Sequence, residues 1–196
     1  MKRRKDQVRK MILIVNTTTD RTITENLHAA LEQNGFSDAG ADAKKEQKNK
    51  KGNNVYEIVE AGESRISPCI GCNYCWLKTP GICSIRDDYE EILKKMVHAD
   101  QLWVISGTAL GFLDHKGKNI YDRILPLATM YLHFKGKQMR HYRRYKQKMD
   151  FGLIYSGEAE KAYLERWNGR AALNFESRSL GVFSKEEIKE AVTCMH

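Results

Sequence analysis

Five short apolar or β-rich runs, separated by segments whose apolar residues recur every three or four positions, set the pattern of this chain. Met11-Ile12-Leu13-Ile14-Val15 is uniformly apolar and ends at Asn16-Thr17, which suits a strand covered on both faces. From Thr22 the apolar residues Ile23, Leu27, Ala30 and Leu31 follow helical spacing, and Asn34-Gly35 supplies the stop. Val55 to Val59 is a second strand. Asp87-Asp88 open a helix with Tyr89, Ile92, Leu93 and Met96 on one face, ending near His98. Leu102-Trp103-Val104-Ile105 is a fully apolar strand, followed by a turn at Ser106-Gly107-Thr108 and a helix carrying Ile120, Ile124, Leu127 and Met130, kinked at Pro126. Phe151 to Tyr155 is the fourth strand, Ala159 to Leu173 a helix, and residues 175–183 hold a weaker fifth strand. Ser184 to Val192 is a closing helix, with Ser184 and Glu187 spaced as a capping box. Alternation of this kind predicts a parallel sheet with helices on both faces, joined by right-handed crossovers. Ligands of such sheets bind outside the carboxyl ends of the strands at a switch point, here the loops after Val15 and after Ile105.

Composition narrows the class. The chain has 196 residues, 41% apolar and 30% charged, which is enough for one core without disulfide or metal staples. Its 14 Gly and 3 Pro show no period, excluding collagen-like and low-complexity descriptions. The longest purely apolar run, Met11 to Val15, falls short of the roughly 20 residues of a membrane span and the roughly 7 of a signal segment. No membrane association and a cytoplasmic location are therefore expected. Five Cys in that setting read as metal ligands, redox groups or packing rather than a disulfide framework.

Charge is unevenly placed. The formal net charge is +8, yet residues 1–10, 44–51 and 134–149 together carry +16, leaving −8 on the remainder. The first segment reads as a basic N-terminal tail and the second as a solvated lysine loop. The third, FKGKQMRHYRRYKQKM, interleaves Phe134, Tyr142 and Tyr145 with seven Lys/Arg and no acid. Such a surface suits nucleic acid, a phosphorylated cofactor or plain solvation.

The sharpest chemical signal is Cys69, Cys72, Cys75 and Cys83, spaced C-x2-C-x2-C-x7-C in PCIGCNYCWLKTPGIC. That spacing is close to the compact one by which thiolates enclose an iron-sulfur cube, and Gly71, Gly81, Pro68 and Pro80 provide the tight turns it needs. Zinc on four Cys, or a thiol-rich loop without metal, also fits the spacing. Cys194 stands alone and reads as inert.

On these residues the stretch from Ile66 to Tyr145, 80 residues in register, resembles the flavodoxin-like NAD(P)H-dependent FMN reductases and their iron-sulfur flavoprotein relatives. CIGCNYCWLKTPGIC, IRDDYEEILKKM, HADQLWVIS, and NIYDRILPL leading into HFKGKQMRHYRRY carry the likeness. It implies an α/β, flavodoxin-like three-layer sandwich with a five-stranded parallel sheet, a single domain over residues 11–196 with a cysteine-rich loop at 66–86. It also implies FMN at the carboxyl edge, NAD(P)H as co-substrate, a 4Fe-4S cluster on Cys69, Cys72, Cys75 and Cys83, and a homodimer or homotetramer.

The same resemblance assigns the flavin-binding residues and marks two departures. Where the family has G-S-P-R before a polar run, this chain has Asn16-Thr17-Thr18-Thr19-Asp20-Arg21-Thr22-Ile23-Thr24. Thr17, Thr18, Thr19, Thr22, Ile23 and Thr24 are the expected phosphate contacts, since hydroxyls and helix-start amides bind a dianion, while Asp20 stands where the family tends to have Arg. An ordinary threonine-rich turn is the alternative. Ser106, Gly107, Thr108, Ala109, Leu110 and Gly111 are the expected contacts to the isoalloxazine, without the family's Pro and aromatic residue. Stacking then falls to Trp76, Phe112 or a second subunit, and Trp76 also reads as plain packing.

No nucleophile-His-acid set is present and no catalytic side chain is assigned, which suits hydride transfer carried by a cofactor. The expected function is an FMN-dependent oxidoreductase passing electrons from NAD(P)H to a quinone, flavin or other small acceptor, or to a redox protein. Two alternatives stand: an iron-sulfur electron-transfer or sensing protein with weak or lost flavin binding, and, ranked last, a noncatalytic nucleic-acid-binding module.

Overall fold

A computed structural model of the chain describes residues 10–42 and 54–195. The basic tail, apart from Lys10, and the lysine loop lie outside the described residues. In chain order the elements are β1 (Met11–Asn16), α1 (Arg21–Gln33), β2 (Ser37–Asp38), α2 (Ala39–Asp42), β3 (Val55–Glu60), α3 (Tyr74–Leu77), α4 (Tyr89–Met96), β4 (Gln101–Ala109), β5 (Phe112–Leu113), α5 (His115–Asp122), β6 (Ala128–Lys135), β7 (Gln138–Arg143), β8 (Asp150–Ser156), α6 (Lys161–Asn174), β9 (Ser179–Ser184) and α7 (Ile188–Thr193).

Strands β3-β1-β4-β8-β9 form a parallel sheet, the flavodoxin order expected. The two-residue β2 extends it beside β3, and β5 folds back antiparallel on the end of β4. Alternation along β1 shows why the run is apolar throughout. Ile12 and Ile14 pack with Ile23, Leu27 and Leu31 of α1 and with Ile188 and Val192 of α7, whereas Leu13 and Val15 face Tyr89, Ile92 and Met96 of α4 and Ile120 of α5. In the middle of the sheet Trp103 of β4 lies opposite Gly152 of β8, where a Cβ would stand 2.3 Å from the indole. Only a glycine accommodates that ring.

Two local expectations are corrected. The Ser106-Gly107-Thr108 turn does not form; β4 runs on to Ala109, and the chain reverses at Leu110-Gly111, whose φ values of 52 and 77 make the twisted two-residue hairpin turn. The helix expected to reach Met130 stops at Asp122, because Pro126 lies in a 3-10 turn over Leu125–Leu127 and lacks the N–H a helix requires. Met130 instead lies in β6.

The basic segment is a β-ribbon, β6 and β7, separate from the main sheet. Several of its cations turn inward. Arg144 donates to the carbonyls of Pro126 and Ala128, and Glu176 of the body receives His133, Lys135 and Arg143 at 3.4–3.6 Å. Met130, Leu132, Phe134 and Met139 stay exposed. No helix of the described residues is long and apolar enough to cross a membrane.

Candidate functional site

At the carboxyl edge the β1–α1 loop is knitted to itself. Asn16 Oδ1 accepts from the Thr18 amide at 3.0 Å and from its hydroxyl at 2.8 Å, and Asn16 Nδ2 donates to Glu60 at 2.8 Å. Thr17 is buried, with amide and hydroxyl both on the Ile105 carbonyl at 2.8 and 2.9 Å. Thr24 is buried with its hydroxyl 2.7 Å from Glu60, and Ile23 lies in the core. Thr19 is exposed. Asp20 caps α1, accepting from the Thr22 amide at 3.1 Å and the Thr22 hydroxyl at 2.6 Å, with Lys185 at 3.9 Å. The Thr22 hydroxyl holds the Asp20 carboxyl below the usual carboxylate range, so it is an anion at neutral pH. Its place is the helix start where a phosphate would draw on the same donors.

Two neighbours close over this loop. At Gly62 a Cβ would lie 2.1 Å from the Thr18 carbonyl oxygen, so the segment after β3 rests directly on the Thr18-Thr19 peptide. Lys116 of α5 reaches across to donate to the Gly62 carbonyl.

The second expected loop forms a rim. Ser106 is fully buried, its hydroxyl 2.8 Å from the Gly107 carbonyl and 3.2 Å from Asp114. Asp114 caps α5 by accepting from the Gly117 amide at 2.9 Å, and a Cβ on Gly117 would stand 2.1 Å from Ser106 Oγ. The start of α5 is thus seated on the end of β4. Thr108 meets the Ser156 carbonyl at 3.5 Å, the Gly111 carbonyl accepts from the Glu160 amide at 2.8 Å, and Ala109 and Leu110 are exposed at the hairpin tip. Phe112 is packed against Tyr163 and Trp167. Trp76 donates to the Leu125 carbonyl at 2.8 Å and stacks on His141 at 4.6 Å, the packing alternative for that residue.

The cysteine segment is clipped shut at its base. Asp88 accepts from the Arg65 amide at 2.7 Å, and Asp87 from the Ser67 amide at 2.8 Å, so the carboxylates at the exit hold the backbone at the entry. Within the loop, Gly71, Asn73 and Gly81 take left-handed φ values of 66, 57 and 86 that turn the chain on itself. Cys69, Cys72, Cys75 and Cys83 line one pocket of about 360 Å³, solvent-open space included. Among the described residues no three His, Cys, Asp or Glu side chains meet closely enough to hold a single ion.

Two thiols of that pocket are shifted in opposite directions. Burial pushes the Cys75 thiol up to about 11, and the charges of Cys83, Cys69 and Cys72 add to the shift. The Ser84 hydroxyl, 3.2 Å away, brings Cys72 below the ordinary thiol value. Behind the sulfurs lies Arg123, with only 1% of its side chain exposed. Its Nη1 meets Asp87 at 2.6 Å and the Ser67 carbonyl at 3.2 Å, its Nη2 meets Cys83 Sγ at 3.5 Å and the Ile85 carbonyl at 3.4 Å, and its plane stands 4.5 Å over the Tyr89 ring. Nε is buried without a partner among the described residues. Arg123 and the two clipping aspartates are what sequence reasoning missed. Asp-Asp before a helix signals favourable dipole charge, and nothing local says that one of them meets an arginine just past the end of α5.

No protein-family model matches the chain. It is 41% identical over 71 residues to an iron-sulfur flavoprotein of Methanocaldococcus jannaschii, covering 36% of each chain. A second iron-sulfur flavoprotein, from Archaeoglobus fulgidus, is 37% identical over 67 residues, covering 34% of this chain and 32% of that one. These matches span about a third of the length of either relative. Among solved structures, an NAD(P)H:quinone oxidoreductase from Methanothermobacter marburgensis superposes with a TM-score of 0.58 at 12% identity, over 96% of this chain and all of that one. RosB bound to 8-demethyl-8-formylriboflavin-5'-phosphate superposes with a TM-score of 0.55 at 12% identity, over 94% of this chain and 76% of that one. The likeness to flavodoxin-like reductases therefore holds for the fold, and the likeness to iron-sulfur flavoproteins for a third of the sequence.

Proposed function

We propose that this chain is an oxidoreductase that moves electrons from NAD(P)H to a small acceptor, a quinone or a flavin, or to a redox protein, with FMN at the carboxyl edge and a 4Fe-4S cluster in the cysteine loop. The observation that carries the reading is the gathering of all four cysteines around one pocket backed by a buried arginine. The donor set suits the cluster: four cysteines on one pocket, with Arg123 Nη2 3.5 Å from Cys83 Sγ as an N–H donor to sulfur. Cys69, Cys72, Cys75 and Cys83 would hold it.

For FMN the fit is partial. Thr19, Thr22 and the amides that open α1 would hold the phosphate, and the hairpin over 106–111 would border the ring system, but the Asp20 carboxylate must first release Thr22. When bound, FMN accepts a hydride and releases electrons singly or in pairs. The protein's own task is then to fix orientation and charge. Seating α5 on β4 through Ser106, Asp114 and Gly117 makes that edge rigid, and Gly62, with Lys116 on its carbonyl, supports the Thr18-Thr19 peptide. The exposed apolar side chains of the β6–β7 ribbon suit coverage by a second copy in a homodimer or homotetramer.

Anaerobically purified protein should show flavin bands with a broad brown shoulder, one FMN and about four iron atoms per chain. Colourless protein lacking both would overturn the proposal. Brown protein without FMN would select the second reading, an iron-sulfur electron-transfer or sensing protein, which the Asp20 cap favours. A further outcome separates the two. Asp20→Ser keeps a helix cap but removes the competing charge, so FMN should bind about tenfold tighter while riboflavin, lacking the phosphate, is unaffected. Fluorescence-quenching titrations with both flavins measure this, and equal effects on the two would remove Asp20 from the phosphate site.

A further inference from the structure

We infer that Arg123 is a positioning residue that governs how readily the cysteine pocket accepts an electron, by holding a buried positive charge against Cys83. The inference rests on the cluster reading above and goes beyond it by naming the residue that sets the potential and the one that opposes it.

One electron, supplied by dithionite in a titration, adds one negative charge to a cluster and its thiolates; no bond forms or breaks and no proton is required. A cation in contact with that assembly stabilises the reduced form, and N–H donors on the sulfurs act in the same direction. Arg123 offers both. Its Nη2 lies 3.5 Å from Cys83 Sγ, and its buried Nε has no partner among the described residues. Screening by water is weak here, since the side chain is 1% exposed. The arginine cannot swing away, because the Ser67 and Ile85 carbonyls and the Tyr89 ring hold its plane.

Asp87 is the counterweight. Its carboxylate, 2.6 Å from Nη1 and 8% exposed, cancels part of the cation's field at the pocket. The two residues therefore act on reduction with opposite signs, which a purely structural pair would not do.

The test uses the full chain reconstituted anaerobically with iron and sulfide, iron being counted before an EPR-monitored reductive titration. Arg123→Met should make one-electron reduction about tenfold less favourable, a potential lower by about 59 mV, and Asp87→Asn about tenfold more favourable, a potential higher by about 59 mV. Arg123→Lys should stay within about threefold of wild type. Should Arg123→Met fail to fold, Asp87→Asn and Arg123→Lys still decide the matter. Shifts of the same sign in the Arg123 and Asp87 single variants, or unchanged potentials at full iron content, would overturn the inference. Wild-type protein that takes up no iron would instead overturn the cluster reading, and this inference with it.

Discussion

On the proposed cluster reading, Cys75→Ser is expected to lower the iron content from about four atoms per chain to fewer than about one, while leaving the α/β core folded. Cys75 is the most enclosed of the four, 9% exposed, and is carried on α3, which Trp76 pins to the body through the Leu125 carbonyl. Its thiol resists ionisation because burial and three neighbouring sulfurs act against the charge. The proposed cluster, with its cationic iron core, would offset that penalty, and Cys75 is therefore the ligand position chosen for the test. A serine hydroxyl does not ionise at neutral pH and gives no comparable ligand. Cys194→Ser, remote from the loop, is the control and should retain all its iron. Anaerobic iron assay and the visible spectrum report the result. Full iron content in Cys75→Ser would remove this residue from the ligand set.

What the sequence disclosed follows from where each interaction is made. Strands β1 and β4 were legible because strands covered on both faces are apolar throughout, as Ile12 to Val15 and Leu102 to Ile105 are. The β6–β7 ribbon was not, because Ile120, Ile124, Leu127 and Met130 satisfy a helical period that Pro126 breaks before its last member. Ser106-Gly107-Thr108 resembles a turn in isolation. In the fold Gly107 is a strand residue, since Asp114 of the returning chain leaves no room for a Cβ.

The site divides in the same way. Four cysteines within fifteen residues announce themselves by spacing alone. The threonine loop does not, since a hydroxyl serves an anion or a carbonyl equally well. Thr17 is spent on Ile105 and Thr24 on Glu60, partners contributed by other strands. Asp87 and Arg123 lie 36 positions apart, and only the packing of the loop against α5 brings them together.

That pair gives the largest expected change in stability. Asp87→Ala should destabilise the protein by about 3–5 kcal/mol, because Arg123 then keeps its charge in a dry site with no counter-ion. The Ser67 and Tyr89 amides lose their acceptor as well, so the entry of the cysteine loop is released with it. The effect should depend on pH. Burial works against ionisation of Asp87, yet the Arg123 bond and the Ser67 amide outweigh it and hold its carboxyl below the usual range. A carboxyl depressed by folding contributes fully above its ordinary value near about 4 and loses that contribution as pH falls through the lower folded value. The gap between wild type and Asp87→Ala in urea unfolding should therefore be widest near about pH 7 and narrow progressively below about pH 4. A gap independent of pH would mean that the carboxylate's charge is not what stabilises the loop, and that shape and hydrogen bonding alone hold Asp87 in place.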